Sequence, residues 1–239
     1  MSRAILVTGG SRGIGLAIAR AFAAQGDRVA VCARRDPGSL PFPLFQTDLR
    51  EPQACEALVR EVVSHFGSLD VLVNNAGGSP PADAATMSPR FSEKVVRLNL
   101  LAPLWLSQAA NSVMQSQDTG GVIVQVASVS GLRAYPGTAA YGAAKAGLLS
   151  LTKSLAVEWA PAVRVVAISP GLVATEGAEE HFPDMAAIAA TVPQGRFATP
   201  ADVADAAVFL ASDQASYATG TNLVLDGGGE WPAFLRPRG

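Results

Sequence analysis

Residues 4–15 read Ala-Ile-Leu-Val-Thr-Gly-Gly-Ser-Arg-Gly-Ile-Gly, and a helical pattern from Leu16 to Gln25 follows at once. The apolar run Ala4–Thr8 predicts a buried strand, and the glycines after it permit a tight turn into the helix. Such a turn lets the backbone approach a pyrophosphate, whose charge then meets the positive end of the helix. Gly9, Ser11, Arg12, Gly13, Ile14 and Gly15 are therefore candidate cofactor contacts. A glycine-rich turn alone is a weak signal, so the rest of the chain has to supply its context.

Working outward, further short β-branched runs at Arg28–Ala33, Leu44–Thr47, Leu69–Asn74, Gly121–Ser128, Val163–Pro170 and Thr221–Leu225 alternate with helical patterns. Strands in that alternation predict a parallel sheet, and their nearly continuous apolar character predicts helices on both faces. The expected architecture is α/β: a Rossmann-type, doubly wound, seven-stranded parallel sheet in a single domain over residues 1–239. Asp48 before Glu51 and Pro52 reads as a helix start, as do Ser88-Pro89 and Thr199-Pro200, while Gly67 reads as a helix end. Pro37, Pro41 and Pro43 predict that the second crossover is an extended loop. The irregular stretch from Gly171 to Pro193 is read as a mobile lid over the substrate.

With 49% hydrophobic residues against 16% charged, the chain carries enough apolar material for such a core. A net charge of −2 without Lys/Arg clusters gives no footprint for nucleic acid or anionic lipid, so a small-molecule partner is expected. Cys32 and Cys55 are too few for a disulfide framework and fit a reducing cytoplasm. No apolar stretch is long enough to cross a bilayer, and the opening residues do not read as a signal peptide. His65 and His181 have no patterned ligand beside them, so no metal site is expected.

The glycine spacing is Thr-Gly-x-x-x-Gly-x-Gly, and three further segments follow in order: Asn74-Asn75-Ala76-Gly77, Tyr141-Gly142-Ala143-Ala144-Lys145 and Pro170-Gly171. Together these resemble the short-chain dehydrogenase/reductase family over residues 4–228. The segment from Gly195-Arg196-Phe197 through Thr219-Gly220 is similar to the 3-oxoacyl-thioester (acyl-carrier-protein) reductase branch. The resemblance implies a nicotinamide dinucleotide. It also implies that Asn75, Ala76 and Gly77 pass the ribose, that Asp48 and Leu49 flank the adenine, and that Thr175, beyond Pro170, Gly171 and Val173, holds the carboxamide. Asp48 reads equally well as only a helix cap.

Charge decides between the two dinucleotides. An NAD site places a carboxylate at the end of the second strand, whereas this chain has Ala33-Arg34-Arg35. Arg34 can bond a 2′-phosphate and Arg12 can supply a second cation, so NADP(H) is expected over NAD(H). A solvated surface pair with Asp36 is the alternative.

Tyr141 and Lys145 stand four apart, which on a helix makes their side chains neighbours. A phenol titrates near pH ~10, and an adjacent ammonium favours its phenolate, so the pair suits proton transfer. Ser128, thirteen residues before Tyr141, would hold the substrate oxygen, with Ser130 as a nearby competitor. Asn99 sits in an apolar helical run, and the resemblance implies that it holds water in a proton relay to Lys145. The expected catalytic tetrad is Asn99, Ser128, Tyr141 and Lys145, acting on a carbonyl or secondary alcohol.

Glu176, Glu179, Glu180 and Asp184 on the lid would oppose an acidic carrier if they faced the entrance, and Phe182, Met185, Ile188 and Val192 give the lid an apolar side. Val166 stands where many family members carry asparagine, and Trp231, Phe234 and Leu235 extend the usual ending toward the pocket or a neighbouring subunit. Trp105 and Trp159 lie on helices that pack between subunits in similar proteins, so a homotetramer is expected. A catalytically idle dinucleotide sensor or scaffold is the reading from another class. An enoyl reductase would be expected to separate its tyrosine and lysine by more than the three residues found here.

Overall fold

The computed structural model describes residues 2–230 except Pro183, with the side chains of Glu180 and His181 also outside the description. Trp231, Phe234 and Leu235 therefore lie outside the described residues. Seven strands, β1 (Ala4–Thr8), β2 (Arg28–Ala33), β3 (Leu44–Gln46), β4 (Val71–Asn74), β5 (Gly121–Val126), β6 (Val163–Pro170) and β7 (Asn222–Leu225), pair in parallel in the order β3-β2-β1-β4-β5-β6-β7. The helices are α1 (Gly13–Ala24), α2 (Pro52–Phe66), α3 (Pro89–Val96), α4 (Ala102–Met114), α5 (Ala139–Trp159), the short α6 (Ala178–His181) and α7 (Met185–Ala189), and α8 (Pro200–Leu210). The fold is the doubly wound α/β sheet that the strand pattern implied.

Alternation along each strand builds two layers. Ile5 and Val7 face one side with Ile18 and Phe22 of α1 and Val203 and Leu210 of α8. Leu6 faces the other with Leu58 and Val62 of α2, Leu106 of α4 and Leu155 of α5. Each large side chain buried this way contributes about 1.5–3 kcal/mol, so the sheet is held from both faces. Val166 is fully buried in the first layer, where an apolar side chain suits its surroundings. Between β2 and β3 no helix forms, and Leu40 and Phe42 from the proline-bearing loop cover the sheet there instead.

Sequence order reverses between β1 and β4, and there the crossovers depart to opposite faces. In sheets of this kind the crevice lies at the carboxyl ends of the strands beside that point. The chain leaves β1 into the glycine turn, β4 into Asn75-Ala76-Gly77, and β5 into Ser128, so all three segments reach one crevice.

Caps at Ser88 and Thr199 form as expected, the second as a capping box with Asp202, and Gly67 ends α2 in the left-handed region. Asp48 does not cap α2: that helix begins behind Glu51 with no side-chain cap bond. Its carboxylate instead accepts the Arg50 backbone N–H at 3.1 Å and is gripped by the Arg50 guanidinium. A two-point charge-assisted bond to a residue two positions away outcompetes a cap to neutral amides.

Candidate active site

The crevice is a cavity of about 1150 Å³ lined by all but two of the expected site residues, Asp48 and Asn99 being the exceptions. Its first wall is the turn before α1. Arg12 precedes the helix in extended backbone, and no side chain caps the first N–H groups. A helix start left open in this way offers donors and a positive dipole end to an anion.

Glycine is required in this wall by close approach. A Cβ on Gly15 would lie 2.3 Å from the Gly9 carbonyl oxygen, and one on Gly10 would lie 2.5 Å from Val31 Cγ1. Thr8 and Asn75 brace the turn. Thr8 Oγ1 accepts the N–H groups of Asn75 and Ala76, both at 3.0 Å, and the Asn75 amide donates to the Thr8 and Gly9 carbonyls at 2.9 and 3.3 Å. The side-chain amide of Asn75 thus holds the turn. Thr8 was legible only as the end of a strand, because nothing in a sequence tells where a hydroxyl points.

At the β2 end, Ser11, Arg12, Arg34 and Arg35 line the cavity with Thr47 and Leu49. Among the described residues none of these three arginine side chains makes a hydrogen bond or an ion pair. Asp36 does not pair with them, since its carboxylate accepts the Gly38 N–H at 2.8 Å. Asp48 feels the charge of Arg34, yet its carboxyl is held down to about 2 first by the Arg50 hydrogen bond. The open helix start, the bare glycines and these free cations fit a dinucleotide carrying phosphates, and its pyrophosphate would lie against Gly9 to Gly15.

The opposite wall carries the reactive groups. Ser128 lies two residues beyond β5, where its Oγ accepts the Ser130 N–H at 3.1 Å. That bond occupies a lone pair and leaves the hydroxyl proton available, and the Ser128 hydroxyl favours the Tyr141 phenolate. Tyr141 stands in the first turn of α5, and Lys145 one turn later places Nζ 5.7 Å from the centroid of its ring.

Lys145 is 3% exposed and donates to the Val126 carbonyl at 2.7 Å. Burial without a carboxylate partner pulls its pKa from the usual 10.5 to about 8. The sequence predicts that this cation lowers the Tyr141 pKa. In the protein alone the hydroxyl is pushed up by burial, and the neighbouring Ser128 hydroxyl opposes the rise. The ammonium, 5.7 Å from the ring centroid, is not among the causes that move the hydroxyl.

Asn99 sits in a wider, π-helical turn over Arg97–Leu101, between α3 and α4. It is fully buried, accepts the Gly78 N–H at 2.9 Å, and donates to the carbonyls of Gly78 and Val95 at 3.0 and 2.9 Å. Both amide protons are spent on backbone, so its visible task is to pin the chain after β4. It still belongs to the same corner: a Cβ on Gly77 would lie 2.6 Å from Asn99 Oδ1 and 3.3 Å from Lys145 Nζ.

Pro170, Gly171, Val173 and Thr175 close the cavity from the β6 end, joined by Glu176 and Phe182. The stem of the expected lid is tied down, with Ala174 donating to Ala198 and Ala198 donating to Leu172. Phe182 packs edge-on against Phe197 at 5.6 Å between ring centroids. Arg133 and Tyr135 also line this end and were not singled out from sequence. They sit in the loop before Tyr141, where only the fold turns them toward the cavity.

A parallel sheet with a glycine-turn dinucleotide crevice and a serine, tyrosine and lysine on its far wall defines a nicotinamide-dependent oxidoreductase. A family model described as enoyl-(acyl carrier protein) reductase matches residues 9–230. The chain is 37% identical to a probable 2,4-dienoyl-CoA reductase of Bacillus subtilis (strain 168), covering 96% of each chain. It is 38% identical to an acetoacetyl-CoA reductase of Shinella zoogloeoides, covering 95% of this chain and 98% of that one. Among solved structures, the ligand-free aldohexose dehydrogenase of Thermoplasma acidophilum superposes with a TM-score of 0.92 at 30% identity, covering 100% and 98% of the two chains. The chain belongs to the short-chain dehydrogenase/reductase family, whose members act on CH–OH and C=O groups with NAD(P)(H).

Among the described residues no helix is long and apolar enough to cross a membrane, and no group of His, Cys, Asp or Glu is arranged to hold a metal ion.

Proposed function

We propose that this chain is an NADP(H)-dependent oxidoreductase of a small carbonyl or secondary alcohol, such as a 3-oxoacyl thioester or hydrophobic ketone. The observation that carries the reading is the convergence of Ser128, Tyr141 and Lys145 on the cavity that the glycine turn also lines. Arg12 and Arg34 at the β2 end support the phosphorylated dinucleotide, because a 2′-phosphate there meets two cations that no carboxylate pairs with. The dinucleotide supplies or accepts the hydride.

The chain's own residues manage the oxygen and the proton. Ser128 and Tyr141 hold the substrate oxygen between two hydroxyls, and Tyr141 Oη delivers the proton in reduction or takes it in oxidation. Lys145, lowered by burial to about 8, is suited to replenish that proton, and Asn99 holds the Gly78 backbone beside it. The lid over 171–193 covers the substrate, with Phe182 as an apolar contact. The idle-sensor reading has no observation in its favour.

The test is a panel of ketones, 3-oxoacyl thioesters and secondary alcohols, followed by absorbance with both dinucleotides. Turnover with NADPH exceeding that with NADH is expected, and a preference for NADH would overturn the cofactor assignment. A cytoplasmic setting is part of the same reading, with Cys32 and Cys55 buried as free thiols. A homotetramer is part of the same reading, supported by the exposed Val157, Phe209 and Val224. Light scattering that returned a monomer's mass would remove it.

A further inference from the structure

The mouth of the crevice carries an ion pair that the proton chemistry does not use. Arg133 Nη2 donates to Glu230 Oε1 at 2.7 Å, with both side chains partly exposed at 36% and 43%. Arg133 lines the main cavity together with Ser128, Ser130 and Tyr141. It also lines a smaller adjoining cavity of about 160 Å³ with Glu230 and Leu225. The two cavities meet at Arg133, Gly171 and Leu172.

The position of Arg133 is fixed with respect to Ser128. Gly131 N–H donates to the Ser128 carbonyl at 3.0 Å, and the N–H groups of Leu132 and Arg133 donate to Val129 at 2.9 and 3.0 Å. The guanidinium lies 6.0 Å over the Tyr135 ring, which limits its swing. The other lining arginines, Arg12, Arg34 and Arg35, belong to the β2 end, and Lys145 is buried. Arg196 in the smaller cavity is held by Asp202, so among the described residues Arg133 is the cation available to the substrate end, and only one of its five N–H donors has a partner there. A carboxylate already rests on it in the form of Glu230. Glu176 is a negative group in the same cavity, on the lid, and makes no ion pair among the described residues.

We propose that Arg133 is a specificity-determining residue that binds a carboxylate carried by the substrate, and that Glu230 is the internal carboxylate which that substrate displaces. This rests on the reductase reading above and narrows it to a 3-oxo acid or the corresponding hydroxy acid. The guanidinium fork matches a carboxylate, and binding there orients the reacting carbonyl toward Ser128 and Tyr141.

The experiment compares kcat/KM for a 3-oxo acid and its methyl ester, with NADPH, in the wild type, Arg133→Gln and Glu230→Gln. The acid-to-ester ratio is expected to fall at least tenfold in Arg133→Gln with ester turnover kept, and to rise about threefold in Glu230→Gln as the competing carboxylate is removed. An unchanged ratio in Arg133→Gln, or an equal loss on both substrates, overturns the proposal. Calorimetric titration with butanoate, a carboxylate that cannot react, separates the two levels of argument. Butanoate binding that is weakened by Arg133→Gln upholds the carboxylate site even if no carbonyl is turned over; binding indifferent to Arg133 sinks the site while the reductase reading stands.

Discussion

At the β2 end of the cleft the side chains of Arg12, Arg34 and Arg35 make no hydrogen bond or ion pair among the described residues, while at the lid end Arg133 holds Glu230 at 2.7 Å. Neither nearby carboxylate pairs with the first group: Asp36 accepts the Gly38 amide and Asp48 is held by Arg50. Cations kept free beside an open helix start are ready for a permanent, highly charged ligand. A cation covered by its own carboxylate is ready for exchange, so binding there is a competition and selectivity depends on what the newcomer offers. One end is built to hold, the other to choose.

The largest effect expected from disturbing this division is at the proton donor between the two ends. Tyr141→Phe should lower kcat by about 10²–10⁴-fold while NADP(H) affinity stays within about twofold, because the phenol serves chemistry and the arginines serve binding. Steady-state rates and a fluorescence titration measure the two halves separately, and a variant that keeps its kcat would remove the tyrosine from the mechanism. Next, Arg34→Asp should lower the NADPH-to-NADH ratio of kcat/KM by about 10–100-fold, since a buttressing cation becomes a repelling anion. If the ratio does not move, the phosphate is read at another place.

A further effect concerns stability rather than turnover. Lys145 must shed its proton or remain charged without a carboxylate in a buried site, and its pKa falls from 10.5 to about 8. Below about pH 8 the folded state bears the full cost of that buried charge, and the cost disappears as pH rises from about 8 toward 10.5, where the unfolded chain also deprotonates. Lys145→Met should therefore be more stable than the wild type at pH 7, by up to about 3 kcal/mol for a shift from 10.5 to about 8, with the advantage shrinking above pH 8. Urea denaturation at several pH values checks the sign; a wild type that is the more stable protein at pH 7 would mean that the ammonium is compensated.

Much of this arrangement is carried by local rules. Ala4–Thr8, the glycines after it and the alternation of short apolar strands with helical runs dictate a parallel sheet with a crevice at its carboxyl edge, because strand burial and glycine geometry act over a few residues. The neighbourhood of Tyr141 and Lys145 follows from helical pitch, and the caps at Ser88 and Thr199 from side chains that reach their own backbone. What depends on distance through space was settled only by the folded chain. Arg50 takes Asp48 from its cap, Asn99 spends its amide on Gly78 across 21 positions, and Arg133 meets Glu230 across 97. The depth of Lys145 and the direction of the Tyr141 shift belong to the same class. Hydrogen-bond competition and desolvation depend on which distant groups share a volume, and spacing along a sequence does not measure that.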